Sequence, residues 1–223
     1  MKNIAIDGPA GAGKSTIAKA VAKRLKIMYM DTGSLYRAVA FHQVCSRSNV
    51  CAIDKLSKSD VTLKYIGGVQ HVLVCGMDVT DRIRSPNISM LASKISAIPR
   101  VRKFLIGIQR DFASCNDVVL DGRDIGTIVL PKADVKIFIT ADVNIRAKRR
   151  YFQQIEQNCS INFNDVLNDI KIRDSYDSSR SISPLRRAKD AVLLDNSCLS
   201  LEQSINYVMD VVRSKFKSYI IEN

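Results

Sequence analysis

The chain has 223 residues, of which 46% are hydrophobic and 25% are charged, so it can bury the core of one domain and still carry a small insertion. This composition excludes a disordered or fibrous chain, and no apolar run approaches the roughly 20 residues that a membrane-spanning helix needs. The formal net charge of +12 indicates an anionic partner, either a nucleic acid or a phosphorylated small molecule. Because the first residues are too polar for a signal peptide, we expect a cytoplasmic protein that does not bind membranes.

The first predicted elements are a strand at Asn3–Ile6, a glycine-rich turn and an amphipathic helix at Lys14–Lys26. A short apolar run followed by an acid recurs three times, and Val135–Ile139 adds a further strand. Helical patterns separate these strands, which is typical of an α/β fold with a parallel sheet covered by helices on both faces. The three recurrences are Ile27–Met30 before Asp31, Val118–Leu120 before Asp121 and Val192–Leu194 before Asp195.

The carboxyl ends of the predicted strands indicate where a ligand would bind. In open sheets of parallel strands, ligands occupy the crevice beyond these ends. Asp7, Asp31 and Asp121 each follow a strand directly. We therefore expect all three carboxylates, with the loops after them, to open onto one crevice.

Residues Gly8–Ser15 read GPAGAGKS and match the pattern G-x-x-x-x-G-K-S/T, whose backbone N–H groups hold phosphate oxygens at the start of a helix. Lys14 would place a cation on the β- and γ-phosphates, and the Ser15 hydroxyl can coordinate Mg²⁺. A chance match is rare, and here a strand precedes the loop and a helix follows it. We therefore predict a nucleoside triphosphate site at Gly8, Pro9, Ala10, Gly11, Ala12, Gly13, Lys14, Ser15 and Thr16, with Ser15 as the metal ligand.

The phosphate loop alone does not define the reaction, because switches, motors and small kinases share it. The chain contains neither Asn-Lys-x-Asp nor Asp-x-x-Gly, the motifs with which GTPases recognise the base and switch. Motors and ring ATPases usually need a longer core. These observations favour a small-molecule kinase.

One segment interrupts the alternation of strands and helices. Around Gly67-Gly68 and Gly76-Met77-Asp78, the pattern predicts short antiparallel strands joined by hairpins. We interpret residues 55–84 as an inserted subdomain. Ser85-Pro86 then predicts the start of a helix, with Ser85 as the N-cap. The predicted hairpin strands are Val61–Tyr65, Val69–Cys75 and a third at Val79.

Six cysteines are spread along the chain without a C-x-x-C pair, and there are only two histidines. This spacing contains no zinc-binding motif. We therefore expect buried, reduced thiols without a chemical role.

Arginines follow several of the predicted strand ends. Transfer of a phosphoryl group onto another phosphate brings negative charges together, so the acceptor site needs cations. Arg37 and Arg123 are placed to supply them. Arg173, Asp177 and Arg180 are spaced i, i+4, i+7, which puts them on one face of a predicted helix. On spacing alone, an exposed salt-bridged face explains that trio more often than a site does.

The chain resembles the bacterial cytidylate kinase family in order and over nearly its whole length, insertion included. The resemblance implies that residues 1–223 form a single P-loop kinase domain. Within it, residues 55–84 would be an insertion that binds the monophosphate, and residues 143–180 would be a helical lid. It also implies that ATP, with Mg²⁺, phosphorylates CMP and dCMP in pyrimidine metabolism, without a nucleic-acid partner and with no need for more than a monomer. The motifs that carry the resemblance are Gly8–Thr16, Asp31–Arg37, Ala92–Arg102, Asp121–Thr127, Arg173–Arg180 and Pro184-Leu185.

The resemblance also implies roles for individual residues. An arginine paired with an aspartate complements the acceptors and the exocyclic amine of cytosine, whereas uracil would place an acceptor against Asp124. The phosphate acceptor is already a nucleophile, so positioning and charge neutralisation would do most of the catalysis. The implied residues are Ser93, Arg102 and Asp124 for the cytosine ring, Arg37, Arg123 and Arg180 for the acceptor phosphate, Asp177 for a sugar hydroxyl, and Lys14, Arg123 and Arg173 for catalysis.

Several alternatives stay open at this point. The basic residues Arg146, Arg149 and Arg150 could belong to the lid or form an exposed helix end, and either Asp31 or Asp121 could hold the water ligands of magnesium. A basic RNA-associated protein would be a different class of function, which salt-dependent RNA retention would reveal. A kinase for adenylate, uridylate or thymidylate is a nearer alternative.

Overall fold

The computed structural model describes residues 1–45, 56–57, 59–156 and 161–221. The predicted start of the insertion at Lys55, the cysteines Cys51 and Cys159, and residues 157–160 of the predicted lid lie outside this range. Eight strands occur in the described residues: β1 (Asn3–Asp7), β2 (Met28–Asp31), β3 (Val61–Ile66), β4 (Val69–Val74), β5 (Met77–Asp78), β6 (Val118–Gly122), β7 (Val135–Thr140) and β8 (Val192–Asp195).

Seven α-helices accompany these strands in the same described ranges. A 3-10 turn at Arg82–Arg84 and a π-helical turn at Ile125–Val129 add shorter helical segments. None of the described helices is both long enough and apolar enough to span a membrane. The α-helices are α1 (Lys14–Leu25), α2 (Thr32–Cys45), α3 (Pro86–Ile95), α4 (Pro99–Cys115), α5 (Val143–Glu156), α6 (Phe163–Ser179) and α7 (Leu201–Ile221).

Five strands form a parallel sheet in the order β2-β6-β1-β7-β8, and β3-β4-β5 form a separate antiparallel sheet. The central strand β1 is covered on both faces, as a parallel sheet requires. Ile4 and Ile6 pack with α1 and α7, whereas Ala5 packs with α2 and α4 on the opposite face. The predicted α/β architecture is confirmed.

The inserted sheet packs onto the same hydrophobic core as α2 and α4, through Val61, Val72 and Val74. The prediction of a third strand at Val79 is wrong, since β5 is Met77–Asp78. Cys75 and Gly76 both have positive φ, 49° and 81°, and form a tight turn. The chain therefore reverses direction two residues before the predicted strand.

Two predicted helix boundaries differ in outcome. Ser85 is the N-cap of α3, and its hydroxyl accepts a hydrogen bond from the Ile88 N–H at 3.4 Å, as predicted. Helix α6 ends at Ser179, so Arg180 is its C-cap residue and does not lie within the helix. The prediction that Arg173, Asp177 and Arg180 share one helix face is therefore wrong for Arg180.

Helices α5 and α6 pack on each other through a small cluster of their own. Ala147, Val166 and Ile170 are its buried members, and it is separate from the two clusters that cover the main sheet. The two helices thus form a distinct unit that follows β7.

The described cysteines are Cys45, Cys75, Cys115 and Cys198, and all four are exposed and unpaired. The expectation of buried thiols is wrong for them. They lie at helix ends and in turns, where the chain runs over the surface.

Candidate active site

The glycine-rich segment joins the end of β1 to the start of α1, as predicted. Gly8, Gly11 and Gly13 have φ angles of 148°, 75° and 84°, a region that favours glycine. A Cβ at Gly8 would lie 1.9 Å from the carbonyl oxygen of Ile139 in β7. The loop therefore passes so close to the neighbouring strand that no side chain fits, and it ends at the N-terminus of α1, where anions bind.

Lys14 is buried at the base of this loop, and its Nζ donates to the Pro9 carbonyl oxygen at 2.7 Å. Burial, together with the nearby charges of Arg123 and Arg173, holds the pKa of Lys14 well below its ordinary value. An ammonium kept among other cations gains strongly from an anionic ligand. This environment is suited to a phosphate group.

Two acids at neighbouring strand ends have different partners. The Ser15 hydroxyl donates to Asp121 Oδ2 at 2.6 Å, and burial raises the pKa of Asp121 with a contribution from Asp31. Asp31 instead forms an ion pair with Arg37, whose Nη2 lies 2.6 Å from its Oδ2. Of the two acids, Asp121 is therefore the one in contact with the predicted metal ligand.

The third acid, Asp7, does not open onto the crevice, so that expectation is wrong. Its carboxylate is buried and accepts hydrogen bonds from the backbone N–H groups of Ile125 and Gly126, both at 2.8 Å. Burial raises its pKa to about 6, against the lowering effect of these hydrogen bonds. Asp7 thus shapes the loop that follows β6 instead of facing a ligand.

The predicted base-binding pair is already assembled. Arg102 of α4 and Asp124 of the loop after β6 form a buried ion pair. Burial raises the pKa of Asp124, although the cations around it act in the opposite direction. The carbonyl oxygen of the third predicted member, Ser93, accepts a hydrogen bond from the Ser96 hydroxyl at 2.6 Å.

Ser96 is a residue of this region that the sequence analysis missed. Its carbonyl oxygen accepts from Arg102 Nη1 at 3.1 Å, and its hydroxyl oxygen accepts from Arg180 Nη1 at 2.9 Å. It follows α3 directly and joins two predicted acceptor-site arginines. Its position three residues after Ser93 is the one local signal that could have suggested it.

On the other side of the cleft, Asp177 is surrounded by arginines. Arg123 Nε donates to Asp177 Oδ2 at 2.9 Å, and Arg180 Nη1 lies 3.8 Å from Asp177 Oδ1. Burial would raise the pKa of Asp177, but the arginines around it hold that pKa below its usual value. Arg173 lies beside them with its Nε atom buried, and desolvation together with Arg123 lowers its pKa to about 10. The exposed-face explanation of this trio is therefore wrong.

Several buried arginine nitrogens in this region make no hydrogen bond within the described residues. They are the Nε atoms of Arg37, Arg102 and Arg173, and Nη2 of Arg180. Each unsatisfied buried donor costs on the order of 1–3 kcal/mol, and few occur in a native protein. Their convergence on one cleft indicates a ligand rich in hydrogen-bond acceptors.

The basic residues of α5 face the phosphate loop in two of three cases. Arg146 is buried and donates to the Ala10 carbonyl oxygen at 2.9 Å. Arg149 donates to Asn196 Oδ1 at 2.9 Å, and the Asn196 amide reaches the phosphate loop in turn. Arg150 lies within electrostatic range of Arg173. Arg146 is therefore not part of an exposed basic helix end.

Most of the predicted site residues are brought together by the fold. Ser93 is linked to the arginines through Ser96, and Thr16 is an exposed residue in the first turn of α1. The residues that converge through direct contacts or charge interactions are Lys14, Ser15, Arg37, Arg102, Arg123, Asp124, Arg173, Asp177 and Arg180.

The family model for cytidylate kinase matches residues 4–214. The cytidylate kinase of Caldicellulosiruptor saccharolyticus is 44% identical over 213 residues, which cover 94% of this chain and 94% of the relative. That of Carboxydothermus hydrogenoformans is 41% identical over 218 residues, covering 95% and 97%.

Among solved structures, an uncharacterized protein from Eubacterium ventriosum aligns with a TM-score of 0.54 and 14% identity over 96% of this chain and 99% of that chain. At this identity the likeness shows a shared fold alone. The family match, in contrast, runs through the insertion, the phosphate loop and the arginine cluster. The chain belongs to the cytidylate kinase family.

Proposed function

We propose that this protein transfers the γ-phosphoryl group of ATP to CMP and dCMP, giving ADP and the corresponding diphosphate. The observation that carries the proposal is the buried Arg102–Asp124 pair, beside buried arginine nitrogens that have no hydrogen-bond partner in the described part of the chain. Burying a charged pair costs free energy because both groups lose their hydration. Recognition of a polar base would explain why such a pair is present.

On the donor side, the phosphate loop at 8–16 binds the triphosphate of ATP. Its backbone lies at the N-terminus of α1, which favours anions. Lys14 neutralises charge on the β- and γ-phosphates, because its ammonium is buried within the loop. Thr16 follows in the first turn of the helix.

On the acceptor side, three arginines bind the monophosphate. Arg37 comes from α2, Arg123 from the end of β6 and Arg180 from the end of α6, so the acceptor phosphate is held by three elements. Asp177 contacts Arg123 and lies near Arg180, and it accepts a hydrogen bond from a sugar hydroxyl. Removing this acid would leave the arginines less well oriented.

The base is distinguished by Arg102 and Asp124, with Ser93 nearby on α3. Asp124 accepts from the exocyclic amine of cytosine, and Arg102 donates to the ring acceptors. Uracil presents an oxygen where cytosine presents the amine, so Asp124 would face another acceptor. A buried acceptor without a donor disfavours uracil by far more than the size of the base would.

Catalysis rests on Lys14, Arg123 and Arg173. The acceptor phosphate is already anionic and needs no strong base, so the enzyme has to align the reactants and neutralise charge. Arg173 is partly buried and interacts electrostatically with both Arg123 and Arg37. It is therefore the cation best placed for the phosphoryl group in transit.

Magnesium fits the donor set that the structure provides. Hydroxyl and carboxylate oxygens are the ligands that Mg²⁺ takes in proteins, and those of Ser15 and Asp121 lie 2.6 Å apart. We assign Ser15 as the metal ligand and Asp121, rather than Asp31, as the acceptor for its water ligands. When bound, the ion neutralises charge on the phosphates.

The remaining features follow from this function. We assign the insertion at 55–84 to the monophosphate side and the segment at 143–180 to a lid that excludes water, within one domain of 1–223. We also propose that the substrates are small nucleotides and not nucleic acid, and that the protein acts in the cytoplasm as a monomer.

The test is ADP formation from Mg-ATP with CMP, dCMP, UMP, AMP, dTMP and no acceptor in parallel. We expect rapid turnover with CMP and dCMP, and slow turnover with the other acceptors. Equal ADP formation with every acceptor, or without one, would contradict the proposal. RNA retained more tightly than micromolar at physiological salt would support the RNA-associated alternative instead.

A further inference from the structure

Asp174 is a carboxylate on α6 that the functional assignments above leave without a role. It lies next to Arg173 in the chain, and its side chain is 19% exposed. Its Oδ1 accepts a hydrogen bond from the Ala10 N–H of the phosphate loop at 3.1 Å. Its Oδ2 forms an ion pair with Arg146 of α5. One carboxylate thus joins both helices of the lid segment to the donor site.

Arg146 completes the contact from the other helix. Its Nη1 donates to the Ala10 carbonyl oxygen at 2.9 Å, and its Nε donates to the Ala141 carbonyl oxygen at 2.9 Å. Both backbone polar groups of Ala10 are therefore bonded by the Asp174–Arg146 pair. The packing is close as well, because a Cβ at Gly11 would lie 3.0 Å from the Arg146 carbonyl oxygen.

A second anchor lies one turn further along the same helix. Asp177 bonds to Arg123, which belongs to the acceptor side of the cleft. Arg173 lies on the same helix, directly before Asp174 and four residues before Asp177. Its position is set on the donor side by Asp174 and on the acceptor side by Asp177.

We propose that Asp174 is a positioning residue for phosphoryl transfer, which holds α6 against the phosphate loop and thereby sets the position of Arg173 between donor and acceptor. This inference rests on the proposed function. Asp174 touches neither substrate nor the reacting atoms in this scheme; it acts through Ala10, Arg146 and Arg173. Misplacement of a catalytic group by about 1 Å can cost roughly 100-fold in rate.

The test compares Asp174→Ala and Asp174→Asn with Asp169→Asn, an exposed aspartate on the same helix. For Asp174→Ala we expect kcat with CMP to fall roughly 10- to 100-fold, while KM for CMP and for ATP changes less than about threefold. Asp174→Asn should be intermediate, because its amide oxygen can still accept from Ala10 but no longer carries the charge that pairs with Arg146. The Asp169→Asn control should match the wild type.

Arg146→Gln removes the same ion pair from the other side. We expect it to lower kcat in the same way, and the double variant with Asp174→Asn to be no worse than the poorer single variant, because the two residues act as a unit. A full sum of the two losses would contradict the proposal. Amide hydrogen exchange adds a readout without turnover, since the Ala10 N–H should exchange faster in Asp174→Ala than in the wild type.

The outcomes separate this inference from the proposed function. If the wild type transfers no phosphate to CMP, the proposed function itself fails. If the wild type is active and a folded Asp174→Ala retains its kcat, the positioning role is wrong. A rise in KM at unchanged kcat would make Asp174 a binding residue and would also contradict the proposal.

Discussion

Arg102 and Asp124 come from different elements and meet in a buried ion pair beside the cleft. Pairs of this kind gain little net stability, since the loss of hydration offsets their attraction. In the proposed function their value is recognition, because cytosine offers matching acceptors and a donor. The clearest test of residue roles therefore begins at this pair.

Replacing Asp124 with Asn should weaken the recognition of cytosine. We predict that kcat/KM for CMP falls by at least about 30-fold, because an amide cannot act as a pure acceptor toward the exocyclic amine. KM for ATP should change less than about threefold, since the donor site is untouched. Parallel steady-state assays with CMP and UMP measure the change. Unaltered discrimination between the two bases would rule out Asp124 as the base-recognising residue.

Ser96 offers a comparison with the family-implied Ser93. Ser96→Ala removes the hydroxyl acceptor of Arg180, a hydrogen bond worth about 1 kcal/mol, so KM for CMP should rise about fivefold. Ser93→Ala should have an effect only if its hydroxyl contacts the base in the complex. Measuring KM for CMP in both variants tests this, and an unchanged KM in Ser96→Ala would show that Arg180 needs no such anchor.

At the residue scale, the sequence predicted the residues that belong to a motif of fixed spacing. Lys14 and Ser15 belong to a contiguous motif, and their placement needs no tertiary information. Asp7 was assigned wrongly because its partners, Ile125 and Gly126, are far away in the chain. Ser96 was missed because its contact with Arg180 joins distant segments. No local pattern contains such contacts.

Among the elements, the inserted sheet is held to the main sheet by side chains that reach the backbone. Gln70 of β4 accepts from the Asp31 N–H at 2.8 Å, and its amide donates to the Ser34 hydroxyl at 2.7 Å. The Tyr65 hydroxyl donates to the Tyr29 carbonyl oxygen at 2.9 Å. Since Asp31 also pairs with Arg37, the insertion supports the start of α2, the helix that carries the proposed acceptor-site arginine.

Gln70→Leu should loosen that support without unfolding the insertion. We predict a rise of about fivefold to tenfold in KM for CMP, from the loss of hydrogen bonds worth about 1 kcal/mol each, with KM for ATP unchanged. The neighbouring His71→Ala is a matched control, because the His71 partner, Asp78, lies within the same hairpin. Equal effects of the two substitutions would indicate a general loss of hairpin stability rather than a lost contact with the Asp31 turn.

Element boundaries were predictable where hydrophobic periodicity or a cap marks them. The start of α3 after Ser85 is an example, since a serine followed by a proline is a strong signal for a helix start. The third hairpin strand was misplaced because Cys75 adopts a positive φ that is usual for asparagine or glycine. The end of α6 before Arg180 also lacks a glycine or proline signal.

For the whole molecule, buried acids make stability depend on pH. The pKa of Asp7 is about 6 in the folded protein against 3.8 in a free chain, so the folded state binds more protons between these values. The stability that protonated Asp7 contributes is complete below about pH 4 and is lost as pH rises through 6, a change of about 3 kcal/mol. The raised pKa values of Asp121 and Asp124 act in the same direction.

Asp7→Asn should remove the Asp7 part of this dependence. We predict that the free energy of unfolding of the wild type, measured relative to that of the variant, falls by about 3 kcal/mol between pH 3 and pH 7. Urea titrations at several pH values measure the difference, and Asp169→Asn serves as the control. Parallel pH profiles for Asp7→Asn and the wild type would show that the Asp7 carboxyl titrates normally.

The fold class was predictable because each strand carries its own signal and helices separate the strands. The strand order β2-β6-β1-β7-β8 was not, because it depends on pairing between segments as distant as Asn3 and Val118. The convergence of Arg37, Arg123 and Arg173 is a consequence of that order, which local spacing does not contain.

The most direct test of the central claim follows the γ-phosphoryl group itself. Purified protein is incubated with Mg²⁺, CMP and ATP radiolabelled at the γ-phosphate, and nucleotides are separated from inorganic phosphate. We predict that the label appears in CDP in an amount equal to the ADP formed, with little in inorganic phosphate. Label that accumulates as inorganic phosphate while CDP stays unlabelled would contradict phosphoryl transfer to the bound monophosphate.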